Sequence, residues 1–217
     1  MKRTLVVGDI HGCFEELLSL MEKAALGPED RLIAVGDLIT KGPRNREVLE
    51  LFANDQRLSS VIGNQDLAVL RSLRGEDVSL TAAQERTARE LKSNATPFRM
   101  YLESLPGYIE LNSHIIVHAG LRPGVPLHEQ SIEDLTELRT MGADRTSREG
   151  LPWFEVYDGE KMVLFGHWPG PEPKIARRAI GLDTGCVYGH LLTAYIIETN
   201  EFLSVGASPH RFLPVPC

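Results

Sequence analysis

Five short clusters in this chain join glycine or another small residue to a side chain able to hold a metal ion. They are Gly8-Asp9-Ile10-His11-Gly12, Gly36-Asp37, Gly63-Asn64, Val117-His118-Ala119-Gly120 and Phe165-Gly166-His167. Together they offer three hard oxygen donors, Asp9, Asp37 and Asn64, and three imidazoles, His11, His118 and His167. Any one cluster has a plain explanation: Gly-Asp is a turn, and a histidine after an apolar strand is structural. Five of them, each closing an apolar run, call for a common purpose. Two cations held close need more negative charge than histidines supply, and they need a shared ligand, which an aspartate can be. Such a pair, about 3.5–4 Å apart, clamps the attacking and leaving oxygens of a displacement at phosphorus. A mixed carboxylate, amide and imidazole set suits manganese, iron, cobalt, nickel or zinc better than magnesium or calcium, with manganese the expected ion. Cysteine need take no part, because Cys13, Cys186 and Cys217 are too far apart in sequence for a zinc motif or a disulfide framework.

The clusters require strands that end on a common edge. Thr4–Val7, Leu32–Val35 and Leu58–Ile62 read as short buried strands, each followed by an amphipathic helix: Phe14–Ala25, Arg44–Ala53 and a third from Asp66. That alternation implies parallel βαβ units, whose loops beyond the strand ends are where open α/β sheets place their sites. Residues 81–104 read as a helical excursion, opened by a capping box at Thr81 and Gln84. Beyond it the pattern turns to strands: Tyr108–Leu111, His114–His118, Met162–Phe165, Ile180–Leu182, Leu191–Glu198 and Phe202–Val205, with one helix expected over Ser131–Arg139. Two sheets packed together, with helices outside, satisfy the whole pattern.

The 217 residues suit a single domain spanning 1–217, and the 42% apolar and 24% charged fractions are those of a soluble globular protein. A net charge of −7 disfavours nucleic acid or an anionic membrane as partner, so an anionic substrate must be drawn in by local positive charge or by metal. No apolar run approaches membrane-spanning length, and the apolar run after Met1-Lys2-Arg3-Thr4 is too short for a signal peptide, so a cytoplasmic protein is expected.

The order GDxHG, GDxxxxG, GN, HAG and GH resembles the calcineurin-like metallophosphoesterases, within them the phosphoprotein-phosphatase superfamily, over nearly the whole chain from Thr4 to Leu192. Leu182-Asp183-Thr184-Gly185-Cys186 is similar to the small bacterial branch of diadenosine tetraphosphatase-like enzymes and bacterial protein phosphatases. The resemblance implies a four-layer α/β/β/α sandwich of two mixed sheets flanked by helices. It implies one metal on Asp9, His11 and Asp37, and a second on Asp37, Asn64, His118 and His167, with Asp37 bridging. Arg139 falls where the superfamily forks two phosphate oxygens with a guanidinium, a task suited to its planar donors. Lys41, Arg44 and Trp168 are expected on the substrate side, Trp168 because it follows His167 and could stack an adenine. Arg145, Arg148, Lys174, Arg177 and Arg178 could attract a polyphosphate or form a solvated face. His114, His128, His190 and His210 fit no ligand position.

Two departures bear on activity. Gln65 stands where the family has a catalytic histidine, and a carboxamide cannot hand a proton to a leaving oxygen, a contribution worth about 10²–10⁴-fold. Glutamine is one nucleotide from histidine and similar in reach, so in an otherwise intact site it reads as an inactivating replacement. Thr40-Lys41 stands where the eukaryotic-type phosphatases have Asp-Arg, which removes the carboxylate that orients that histidine and favours the nucleotide-cleaving branch. The expected function is dimetal-dependent cleavage of diadenosine tetraphosphate to two ADP, weakened by Gln65. The alternatives are a protein phosphatase acting on phosphopeptides and a nucleotide-binding sensor that does not turn over.

Overall fold

Strand β1 (Thr4–Val7) shows how the layers arise. Its side chains alternate, so Leu5 and Val7 face helices while Val6 faces a second sheet. The computed structural model describes residues 2–93 and 95–208; Cys217 and His210 lie outside them. The chain continues α1 (Phe14–Lys23), β2 (Arg31–Ala34), α2 (Asn45–Asn54), β3 (Leu58–Ser60), α3 (Asn64–Leu73), α4 (Ala82–Lys92) and α5 (Ala95–Ser104). It then runs through β4 (Tyr108–Glu110), β5 (His114–Val117), α6 (Ile132–Glu137), α7 (Trp153–Val156), β6 (Met162–Phe165), β7 (Lys174–Ile175), β8 (Ala179–Gly181), β9 (Leu191–Ile196) and β10 (Glu201–Gly206).

Two five-stranded mixed sheets result, ordered β10-β9-β1-β2-β3 and β4-β5-β6-β8-β7. In the first, β1, β2 and β3 are parallel, β9 returns antiparallel beside β1, and β10 pairs antiparallel with β9 at the edge. In the second, β5, β6 and β8 are parallel, with β4 and β7 antiparallel at the edges. Val6, Ile33, Val35 and Val61 from one sheet meet Ile116, Leu164, Ile180 and Leu182 from the other, forming the inner core. The outer face of the first sheet packs on Leu17, Leu20, Val48, Leu49, Val69 and Leu70 of α1, α2 and α3. The outer face of the second packs on Leu135 of α6 and Trp153 of α7. These are the four layers expected.

The helical excursion resolves into α4 and α5, and neither stands away from the body: Leu91, Phe98 and Leu102 join the helix-side core. Its capping box forms in both directions, Thr81 N–H donating to Gln84 Oε1 at 2.8 Å and Gln84 N–H to Thr81 Oγ1 at 3.4 Å. Among the described residues no helix is long and apolar enough to cross a membrane.

Candidate metal centre

All six donors lie where parallel strands end: Asp9 and His11 after β1, Asp37 after β2, Asn64 after β3, His118 after β5 and His167 after β6. α3 begins at Asn64, two residues earlier than the apolar pattern suggests. Asn64 and Gln65 therefore occupy a helix N-terminus, whose free backbone N–H groups favour an anionic partner. Gln65 N–H donates to Asp37 Oδ1 at 2.9 Å. Asp66 ties the loops together: its carboxylate accepts from Gly63 N–H at 3.1 Å, Ile39 N–H at 3.2 Å and Leu38 N–H at 3.3 Å.

The loops approach so closely that glycine is required. A Cβ on Gly63 would sit 2.1 Å from Asp37 Oδ1, and one on Gly166 would sit 2.0 Å from Asp9 Oδ1. The second contact joins the two sheets, and His167 N–H reinforces it by donating to Asp9 Oδ1 at 3.1 Å. His11, Asp37, Thr40, Lys41 and His167 adopt positive φ. Such conformations cost about 1–3 kcal/mol each for residues other than glycine and collect at functional sites.

Each imidazole is set for a cation. His11 Nδ1 faces the Ile39 carbonyl at 3.2 Å and His118 Nδ1 the Val35 carbonyl at 2.9 Å. A carbonyl only accepts, so the hydrogen sits on Nδ1 and each Nε2 presents a lone pair. His118 Nε2 then points at Asn64 Oδ1 (3.0 Å) and Asp37 Oδ1 (3.5 Å), while His11 Nε2 points at Asp37 Oδ2 (3.6 Å) and Asp9 Oδ2 (3.9 Å). His167 Nδ1 lies 3.2 Å from the same Asn64 oxygen. Acceptor facing acceptor across a buried gap is the arrangement a cation resolves. One ligand atom each from Asp9, Asp37 and His118 lies within 4.8 Å of the others, a group able to hold a metal ion. Burial holds His167 well below its ordinary pKa and His11 at about 3, so both are neutral. Burial, with Asp183 and Asp37 beside it, pushes the Asp9 carboxyl well above the usual range. Burial and Asp37 likewise push Asp66 to about 8.

Three cations face this donor set. Asp9, His11, Asp37, Asn64, Gln65, His167, Lys41, Arg139, Arg148, Asp183, Pro169 and Tyr188 line one cavity. Arg139 donates to the carbonyls of Thr146 at 3.0 Å and His167 at 3.4 Å, and its Nε is buried without a partner. Lys41 is exposed overall, but its Nζ lies 3.0 Å from His11 Nε2 and 5.4 Å from the centre of the Tyr188 ring. Burial opposes the Lys41 charge, but Asp37 and Tyr188 outweigh it and hold its pKa above the ordinary value. Arg44 lies outside the cavity lining, paired with Glu15 at 2.7 Å and with Glu47. Trp168 also lies outside it, edge-on to Phe154 with ring centres 5.5 Å apart.

Asp183, Tyr188 and Gln84 are residues that reading the sequence did not assign to the site. Asp183 carried the usable signal, since it too closes an apolar strand, β8, and burial raises its pKa. Gln84 Nε2 donates to Gln65 Oε1 at 3.0 Å, whereas Thr40 Oγ1 reaches that oxygen only at 3.5 Å.

Residues 2–194 match the family model of the calcineurin-like phosphoesterases. The asymmetrical bis(5'-nucleosyl)-tetraphosphatase PrpE of Bacillus velezensis is 30% identical over 94% of this chain and 92% of its own length. The symmetrical bis(5'-nucleosyl)-tetraphosphatase of Vibrio cholerae is 28% identical over 94% of this chain and 98% of its own. A crystal structure provisionally assigned as a diadenosine tetraphosphatase superposes with a TM-score of 0.81 at 30% identity, covering 95% of this chain and 94% of that one. A serine/threonine phosphatase from Saccharomyces cerevisiae shares the fold, with a TM-score of 0.68 at 16% identity over 96% of this chain and 81% of that one.

Proposed function

The chain belongs to the calcineurin-like phosphoesterases, and from that premise we propose that it binds and hydrolyses a dinucleoside tetraphosphate at two divalent metal ions. The observation that carries this reading is the cavity in which Asp9, His11, Asp37, Asn64 and His167 meet Lys41, Arg139 and Arg148, with His118 held against Asn64 at 3.0 Å. Asp9, His11 and Asp37 would hold one ion, and Asp37, Asn64, His118 and His167 the other, with manganese the expected metal. Metals held there activate water and polarise phosphoryl oxygens.

The chain's own groups supply the rest. Arg139 turns its guanidinium to the cavity rim, suited to fork two oxygens of the phosphoryl group under attack. Arg148 adds positive charge to the same cavity lining, which matches a chain of phosphates better than one. Tyr188 presents its ring at the mouth, where a base can stack, a place the sequence had suggested for Trp168. Gln65, its oxygen taken by Gln84, has only its amide N–H groups left for the leaving oxygen. This geometry supports binding with slowed turnover.

Product analysis tests the reading. The expectation from sequence is attack at the central bond, giving ADP as the only nucleotide from diadenosine tetraphosphate. A second reading, attack at an outer bond giving ATP and AMP, is favoured by the asymmetrical names of the Bacillus relatives. Release of either product set, abolished by Asp37→Asn, upholds the tetraphosphatase. Phosphopeptide turnover with neither binding nor cleavage of the dinucleotide overturns it in favour of a protein phosphatase.

A further inference from the structure

A second cluster of metal-competent side chains lies behind the catalytic loops, with no donor in common. Cys13, Glu16 and Cys186 each place a ligand atom within 4.8 Å of the others, although the two cysteines lie 173 positions apart in sequence. Cys13 caps α1, two residues past His11; Cys186 opens a single 3-10 turn, three residues past Asp183. All three side chains are buried, and the Cys13 thiol donates to the His11 carbonyl at 3.9 Å. Glu16 is held by Ser208 N–H, which donates to its Oε1 at 3.1 Å. Among the described residues no cationic side chain pairs with Glu16. A buried carboxylate in that position is normally paired or bound to a metal.

We propose that Cys13, Glu16 and Cys186 form a binding site for a thiophilic divalent cation of the zinc class. Two sulfurs select such an ion over manganese, which the oxygen and nitrogen donors of the catalytic cavity suit better. A disulfide is the other use for two neighbouring thiols, but it would not engage the Glu16 carboxyl that lies beside them. A cation engages all three groups at once. Bound there, it ties the start of α1 to the Asp183–Tyr188 loop and to the chain at Ser208, bracing two loops that line the catalytic cavity.

Cadmium is a spectroscopic probe for this site, because only sulfur ligands give its thiolate charge-transfer absorption in the ultraviolet. The titration uses the full chain, reduced and saturated with manganese, carrying Cys217→Ser to remove the third thiol. One equivalent of cadmium should produce the band, with manganese retained and the thermal midpoint raised. The band should vanish in Cys13→Ser and in Cys186→Ser. Loss of a supporting partner alone costs metal sites about 10–100-fold in affinity, so Glu16→Gln should weaken binding by at least about tenfold. Glu16→Gln keeps both thiols and the side-chain volume, so it tests the site even if a cysteine variant fails to fold. No band at saturating cadmium, a band that survives with both cysteines replaced, or unchanged affinity in Glu16→Gln overturns the proposal. So does finding the two sulfurs already joined, by a mass two hydrogens lower before reduction.

Discussion

The carboxamide oxygen of Gln65 is occupied by Gln84, so what it can offer a leaving group is an N–H that does not come off. Ground-state binding should survive, because a neutral hydrogen bond to the substrate remains. On the proposed function, what Gln65 withholds is proton delivery as the P–O bond breaks, a loss that belongs to the transition state alone and lowers kcat and kcat/KM together. Gln65→His should therefore raise turnover of the dinucleotide by about 10²–10⁴-fold with little change in affinity. An aryl phosphate, whose leaving group hardly needs a proton, should gain far less. Equal rates for the two proteins on the nucleotide would mean that another group is the acid. At this scale the sequence was informative wherever a donor closes a strand, because strand ends fix position with few residues. Gln84 was invisible as a site residue because it reaches the cavity from a separate helix, and its capping spacing accounted for it fully. Arg44 carried no mark of its ion pair with Glu15, which lies 29 positions away. Positive φ at His11, Asp37 and His167 was equally hidden, since Asp and His adopt it more readily than most residues but still uncommonly.

Among the elements, the four-residue helix α7 has an importance out of proportion to its length. Trp153 at its start is fully buried, and its indole N–H donates to the Ala119 carbonyl at 3.0 Å, next to His118. A Cβ on Gly120 would lie 2.5 Å from the indole nitrogen, so the loop after β5 rests directly on that ring. Trp153→Ala should cost about 3–5 kcal/mol, read as a fall in the urea midpoint, and should loosen the His118 loop. Trp153→Phe keeps most of the volume but strands the Ala119 carbonyl, and should cost about 1–3 kcal/mol. If both variants matched the parent, the ring would be filler and the loop would be held elsewhere. Periodicity had no purchase on α7 or on the two-residue β7, because a run of two to four residues defines no period. The longer elements were legible to within a residue or two because each alternates or repeats against a core.

Across the whole molecule, the donor set bridges the two sheets. Asp9, His11, Asp37 and Asn64 extend from the first, and His118 and His167 from the second, so ions bound to all six would fasten the sandwich at its open edge. Ligand binding to the folded state alone stabilises it by about 2.7 kcal/mol at a free concentration 100 times Kd, and chelation should remove that. The pH dependence of this gain has a definite sign. His11 and His167 are already neutral in the metal-free fold, so an ion displaces no proton from them. Asp9 is different: its raised pKa means that in the metal-free fold it keeps its proton above the usual carboxylate range, and an ion must expel that proton to bind. Affinity therefore rises with pH until Asp9 ionises unaided, by about 1.4 kcal/mol per pH unit for each proton expelled. The metal-free fold moves the other way at the upper end. Asp66, with a pKa of about 8, binds a proton when folded that it has lost when unfolded, so its contribution to stability falls between the ordinary carboxylate pKa and about pH 8. The difference in thermal midpoint between manganese-loaded and chelated protein, at fixed free metal, should thus widen as pH rises past the ordinary carboxylate range, until Asp9 ionises unaided. For a chain of this size the widening should be roughly 3–5 °C per unit. A difference that stays constant with pH would show that no proton is displaced, and that Asp9 is not a ligand.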